Sequence, residues 1–178
     1  EDRDLCRVLP DHVTPPSWAR IAGKDWVVSG HRLITPMVDA CGDVRSLRGW
    51  TWGEEKPKRV APAGFSCKGL VFAEPLVRQL LKLGTIPGWW NRAEQMRIVI
   101  VEGEPDFLTW STKPSDADPY PPAVIGITSG SWTIDIANRI PAEATVIVRT
   151  HHDEAGDKYA AKIHETLAGR VADLRRGK

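Results

Sequence analysis

The sequence predicts an α/β fold, a parallel sheet flanked by helices and preceded by a smaller α+β N-terminal subdomain. Three observations predict it. From Ile98 onward, strand-like and helix-like stretches alternate regularly, the pattern of parallel strands joined by crossover helices. Two of those strands end in acidic turns that carry a glycine, Glu102-Gly103-Glu104-Pro105-Asp106 and His151-His152-Asp153-Glu154-Ala155-Gly156. Before residue 94 the pattern differs: short apolar runs separated by Gly, Asp and Pro read as hairpin β-structure. The boundary falls in the loop-like stretch 85–94, with Pro87-Gly88 and Trp89-Trp90, giving units 1–94 and 95–178.

Taken in order, residues 1–23 carry a weak helical pattern broken by Pro10 and Pro15-Pro16, and Ser17 is placed to cap a short helix, Trp18-Ala19-Arg20-Ile21. Val27-Val28 and Arg32–Val38 read as strands. Asp39–Asp43 is a turn whose glycine suits a positive φ, and 44–52 returns as a strand, so 31–52 is a hairpin. Lys58-Arg59-Val60 is a third strand. Glu74-Pro75 opens a helix over Leu76–Leu83, which Gly84 stops. Strand 98–101 precedes a helix near 105–113, a polar loop over 114–122 and strand 123–127. The small-residue turn Thr128–Ser131, a helix near 132–140, strand 145–149 and a helix near 155–168 follow, and Val171–Leu174 opens a fourth strand.

At 178 residues the chain is long enough to bury a sizeable core. Its net charge of +1 sets up no global field toward nucleic acid or membrane, so any nucleic-acid contact has to come from a local patch. No run approaches the ~20 apolar residues of a membrane span, and none reads as a signal peptide. Cys6, Cys41 and Cys67 are odd in number and far apart, with neither metal-ligand nor disulfide spacing; they suit small buried apolar groups in a reducing cytoplasm. The eight tryptophans read mostly as core or subdomain-packing residues. A start at Glu1 and an end at Arg175-Arg176-Gly177-Lys178 read as a piece of a longer protein.

The chemistry concentrates in the two acidic turns. A strand that stops at Glu-Gly delivers its carboxylate to the C-terminal edge of the sheet, where open α/β sheets place their sites. Glu102 and Asp106 lie four residues apart across a strand-to-helix turn, and Asp153 sits at the tip of a later parallel strand. Neighbouring strands are about 4.8 Å apart, so carboxylates at their tips can share an ion. Hard cations such as Mg²⁺ or Mn²⁺ take one or two carboxylates and leave room for phosphate oxygens and water. Gly103 and Gly156 allow close backbone approach.

These motifs resemble the Toprim domain of primases, topoisomerases and related nucleases. That domain has a Glu-Gly motif after its first strand, matched by Val101-Glu102-Gly103-Glu104-Pro105-Asp106, and an Asp-x-Asp-x-x-Gly motif after its third, matched from His151 to Gly156. Thr128–Ser131 corresponds to a Gly-Ser turn after the second. Upstream, Arg32–Val44 resembles the strand-turn-strand of the N-terminal subdomain of bacterial-type primases, with Pro57-Lys58 matching a Pro-Lys motif and Lys68-Gly69 a Lys-Gly motif. The glycine-rich lysine context is also similar to phage and plasmid primase-helicases. The likeness covers about residue 30 to the end.

The resemblance implies a Toprim-like sheet and template-directed joining of ribonucleoside triphosphates on single-stranded DNA in the cytoplasm, with a replicative helicase as a possible fused or associated partner and no membrane. It implies Glu102 as the central catalytic carboxylate, and Asp106, Asp153 and His151 as ligands of Mg²⁺ or Mn²⁺. Arg45, Arg48, Lys56, Lys58, Arg59 and Lys68 would form a template-binding ridge. Three departures stand out. His151 replaces the first Asp of its motif, and histidine is a poor Mg²⁺ ligand that accepts Mn²⁺ or Zn²⁺. Trp50 replaces a basic residue. A third acidic motif, often Gly-Lys-Asp, would continue beyond Gly177-Lys178.

Other readings stay open. The same metal residues suit a phosphodiester-cleaving Toprim nuclease, or a nucleic-acid-binding module that lost activity with the ligand at His151. Glu102 and Asp106 also suit a helix N-terminus, and Asp153 an N-cap, which does not exclude metal binding. Glu104 reads as evenly balanced between solvent and site. The basic run, with Trp50 and Trp52 interleaved, also reads as a solvated hairpin. His151-His152 lacks further ligands at zinc spacing, and His164 reads as a helix-surface residue.

Overall fold

A computed structural model describes residues 5–85, 96–112 and 121–177. Its elements in chain order are β1 (Arg7–Val8), β2 (Arg20–Ile21), β3 (Lys24–Asp25), β4 (Leu33–Val38), β5 (Val44–Trp50), β6 (Arg59–Val60), β7 (Phe72–Ala73) and α1 (Pro75–Leu83). Then come β8 (Arg97–Glu102), α2 (Gly103–Thr112), β9 (Ala123–Ile127), α3 (Ile134–Ala137), β10 (Thr145–Arg149), α4 (Glu154–Leu167) and β11 (Asp173–Arg176). The boundary expected at 85–94 and most of the loop expected at 114–122 lie outside the described residues.

The first sheet is antiparallel, in the order β1-β4-β5-β6. The expected hairpin is present: β4 and β5 pair from Leu33↔Trp50 to Val38↔Val44. Gly42, at φ 75°, closes the turn, and a Cβ there would press on the Arg78 carbonyl oxygen of α1. Asp39 Oδ1 accepts the N–H groups of Cys41 (2.8 Å) and Asp43 (3.1 Å), and Oδ2 accepts from Arg45 Nε at 2.7 Å. Partial burial pushes the Asp39 carboxyl up, but Arg45 and the two N–H groups outweigh it and hold the carboxyl below its ordinary range. A carboxyl depressed by folding stabilises the fold above its unfolded pKa, and that contribution is lost as pH falls through the lowered folded value. Asp39→Asn is therefore expected to melt below wild type at neutral pH, with the gap in Tm closing under acid. A gap independent of pH would show that the charge is not what holds the turn.

Two sequence expectations fail in this region. Val27-Val28 is not a strand; Trp26–Gly30 is a turn, in which Asp25 Oδ1 accepts the Val28 N–H at 2.9 Å and Ser29 Oγ donates to the Asp25 carbonyl at 2.8 Å. Such local side-chain bonds compete with strand pairing. The expected helix 18–21 is absent as well. Arg20–Ile21 pairs instead with Lys24–Asp25 around Ala22-Gly23, whose φ values of 48° and 80° make the primed turn of a two-residue hairpin.

The second sheet runs β11-β10-β8-β9-β7, with β7 as an antiparallel edge and the other four strands parallel. β8 lies at the centre, so both its faces are covered and its run Ile98–Val101 is apolar. Ile98 and Ile100 pack with Val77 and Leu80 of α1, Ile136 of α3 and Ile163 of α4. Val99 and Val101 pack on the opposite face with Phe107 of α2 and with Met37, Leu70 and Phe72 from the N-terminal part. Phe72 and Phe107 stack at 5.6 Å over Gly126, where a Cβ would come within 2.8 Å of Phe107, which explains a glycine in a buried strand. The two sheets touch through Val38 and Val71, which exchange both backbone hydrogen bonds at 2.9 Å.

The chain passes from β8 to β9 on one side, then crosses back to β10 on the other. In open α/β sheets such a reversal opens a crevice beyond the carboxyl ends of the strands. The surroundings of the tryptophans are mixed: Trp26 and Trp132 are buried, whereas Trp52 is 61% exposed beside Trp50. Against the expectation of burial, Cys6 and Cys67 are only half-buried, and Cys41 is exposed because it sits on the hairpin turn. No helix among the described residues is long and apolar enough to cross a membrane.

Candidate active site

Glu102 is the last residue of β8, and its side chain is 15% exposed. Its Oε2 accepts the backbone N–H of His151, just past β10, at 3.0 Å. The His151 ring stands between two carboxylates, with Nδ1 3.6 Å from Glu102 Oε1 and Nε2 3.3 Å from Asp106 Oδ2. Asp106 lies in the first turn of α2, and Gly103 makes the strand-to-helix bend at φ 81°, a conformation suited to glycine. Three of the four expected metal-site residues thus meet at the carboxyl edge. Asp153 shares the His151 turn, where its Oδ1 caps α4 by accepting the Gly156 N–H at 2.8 Å.

The His151 turn is braced from beneath and from the side. A Cβ on Gly156 would lie 2.8 Å from the His151 carbonyl carbon, 2.9 Å from its nitrogen and closer still to its oxygen. Arg176, at the end of β11, donates from Nη2 to the His151 carbonyl at 2.8 Å and from Nη1 to Asp157 at 2.6 Å. Sequence reasoning missed Arg176, since nothing local to Arg175-Arg176 marks a partner 25 residues away.

Glu104 is the larger surprise. Read from sequence as balanced between solvent and site, it is 1% exposed. Arg48 of β5 donates from Nε to its Oε1 at 3.3 Å, and Arg59 Nε of β6 lies 2.7 Å from Oε2. The Arg59 contact is a close ion pair without an aligned hydrogen bond, and Oε2 has no hydrogen-bond partner among the described residues.

The six expected template-binding residues therefore occupy different settings. Arg48 and Arg59 converge on Glu104. Arg45 pairs with Asp39 at 2.7 Å and Asp43 at 3.5 Å, and Lys58 donates to the Gly53 carbonyl. Lys56 and Lys68 are exposed. Lys68-Gly69 lies against the turn that follows β9, with the Gly69 N–H bonded to the Gly130 carbonyl at 2.8 Å, so Lys68 stands at the same sheet edge as Glu102. His164 is on the surface of α4, as expected. A cleft of about 600 Å³ between the Asp39–Cys41 turn and α3 is lined by none of the expected site residues.

Among the described residues no three acidic, histidine or cysteine side chains converge as a ready-made metal-ligand set. The donor chemistry nonetheless fits a hard cation. Glu102 and Asp106 approach the same imidazole, so with that ring turned aside two carboxylates face one space, the number Mg²⁺ commonly takes from protein.

No protein-family model matches the sequence, and no curated protein matches it. Solved structures do. The DnaG catalytic core matches with a TM-score of 0.52 at 21% identity, over 82% of this chain and 44% of that one. The chain has the fold of part of a DnaG-type primase catalytic core. The E. coli primase catalytic core is similar at a TM-score of 0.52 and 22% identity, over 82% of this chain and 44% of its own. A DnaG primase catalytic domain bound to single-stranded DNA matches at 0.51 and 21% identity, over 83% and 45%. The chain thus spans less than half the length of these primase structures, and its α/β sheet flanked by helices is the architecture expected from sequence.

Proposed function

We propose that the chain is the template- and metal-holding part of a primase, which joins ribonucleotides into RNA primers on single-stranded DNA with Mg²⁺ or Mn²⁺. The observation that carries this reading is the meeting of Glu102, Asp106 and His151 at the carboxyl edge of the central strands, within a fold shared with primase cores. In the reaction a 3′-hydroxyl attacks the α-phosphorus of a ribonucleoside triphosphate, the α–β phosphate bond breaks, and pyrophosphate leaves. Glu102 would accept the hydroxyl proton or hold the cation, with Asp106 as the second carboxylate and Asp153 or His151 completing the set. The cation, when bound, neutralises charge developing on the phosphate.

Lys68, at the same edge, and the exposed Lys56 supply cationic groups for phosphates of the template or incoming nucleotide. Units 1–94 and 95–178 would divide these tasks, the first gripping the template and the second holding the cation. A replicative helicase and a cytoplasmic setting belong to the same proposal. The test is incubation with single-stranded DNA, labelled ribonucleotides and Mg²⁺ or Mn²⁺. Short RNA products support a primase; degradation of the DNA with no RNA made supports a nuclease. DNA binding with neither product supports the module that lost activity, a reading favoured by the His151 ring standing between the carboxylates.

A further inference from the structure

We infer that Glu104, Arg48 and Arg59 form a clasp that ties the first sheet to the catalytic turn and sets the positions of Glu102 and Asp106. Glu104 lies midway between those two residues on the strand-to-helix bend, immediately after Gly103 at φ 81°. Its carboxylate points away from solvent and is almost fully buried. The cations that meet it come from outside the Toprim-like sheet: Arg48 from β5 and Arg59 from β6. A buried carboxylate strongly favours keeping such partners, because losing them leaves an uncompensated charge away from water. The turn therefore cannot shift without drawing β5 and β6 with it, or breaking both pairs.

Arg59 reaches the bend directly, with Nη2 3.7 Å from the place a Cβ on Gly103 would occupy. Two guanidinium groups against one carboxylate leave one positive charge in surplus beside the turn. Glu104 is a positioning residue, acting through Glu102 and Asp106. The clasp also reassigns Arg48 and Arg59, two of the residues that charge alone placed on a template ridge. Its role in catalysis rests on the proposed primase reading, but its effect on the turn does not.

The test compares Glu104→Gln, Arg59→Met and Arg59→Lys with wild type. Arg59 is half-exposed and its variants are the safeguard should Glu104→Gln fold poorly. Amide hydrogen exchange at residues 102–106 is expected to rise at least tenfold in Glu104→Gln and Arg59→Met with α1 unchanged, and Arg59→Lys should restore much of the protection. Mn²⁺ affinity, read by electron paramagnetic resonance of the free ion, should fall at least fivefold in the same two variants. The double variant Glu104→Gln/Arg59→Met should lose little beyond either single one, as members of one unit do. In primer synthesis, kcat should fall with the nucleotide KM kept. Unchanged exchange at 102–106 overturns the clasp. So does a result in which Arg59→Met only weakens DNA binding and flattens its salt dependence, the behaviour of a phosphate-contacting ridge. A wild-type chain that makes no primer overturns the primase reading alone, and the exchange measurement still decides the clasp.

Discussion

Glu102→Gln is expected to reduce primer synthesis by roughly 100- to 1,000-fold in kcat, the scale on which loss of one group from preorganised transition-state electrostatics is felt. The fold should survive the change. Glutamine keeps a carbonyl oxygen that can accept the His151 N–H, now held by Glu102 Oε2 at 3.0 Å, while removing the charge a cation or attacking hydroxyl would use. Primer synthesis measured beside a thermal melt separates the two roles. A near-wild-type Tm with activity lost places the charge in the chemistry. Intact primer synthesis would remove Glu102 from the mechanism and with it the proposed site. Loss of activity together with a large fall in Tm would make Glu102 a structural acceptor for the β10 turn.

Gly156→Ala should have the largest effect on stability of any conservative change near the site. Its Cβ would enter the backbone of His151, and backbone flanked by β10 and pinned by Arg176 has little room to move aside. Overpacking of this kind costs about 3 kcal/mol, which for a chain of this size lowers Tm by roughly 6–12 °C. Activity should fall further than stability explains, because the displaced residue carries the N–H bonded to Glu102 and the ring beside Asp106. Gly23→Ala is the contrast: Gly23 has a positive φ of 80°, but its Cβ meets nothing within 4 Å among the described residues, whereas Gly156 is a helical glycine whose cost is the clash alone. Gly23→Ala should show only left-handed backbone strain, about 1 kcal/mol. Equal losses in the two variants would show that the clash with His151 costs no more than ordinary backbone strain, so that the turn moves aside for the added Cβ.

Much of this was legible in the sequence where local rules act alone. The all-apolar run Ile98–Val101 announced a strand covered on both faces, and it is the centre of its sheet. The hairpin around Gly42 and the helix stop at Gly84, a left-handed C-cap at φ 71°, followed from glycine's access to positive φ. Where several local signals compete, the reading failed. The Asp25 side chain bent Val27-Val28 into a turn, and the primed turn at Ala22-Gly23 made a hairpin of residues expected to be helical. Chain order also placed Glu102, Asp106 and His151 at strand ends that parallel pairing brings together.

The sequence by itself determined that acidic and histidine side chains gather at one edge of a parallel sheet, because strand period and βα alternation are local and dictate which end each turn occupies. Tertiary structure alone decided what those side chains face. Glu104 is buried because β5 and β6 bring two arginines to it from 56 and 45 positions away along the chain. His151 lies between Glu102 and Asp106 because the β9-to-β10 crossover sets β10 beside β8. Charge pairing depends on distance through space, and a single sequence carries no term for that distance until the sheets have packed.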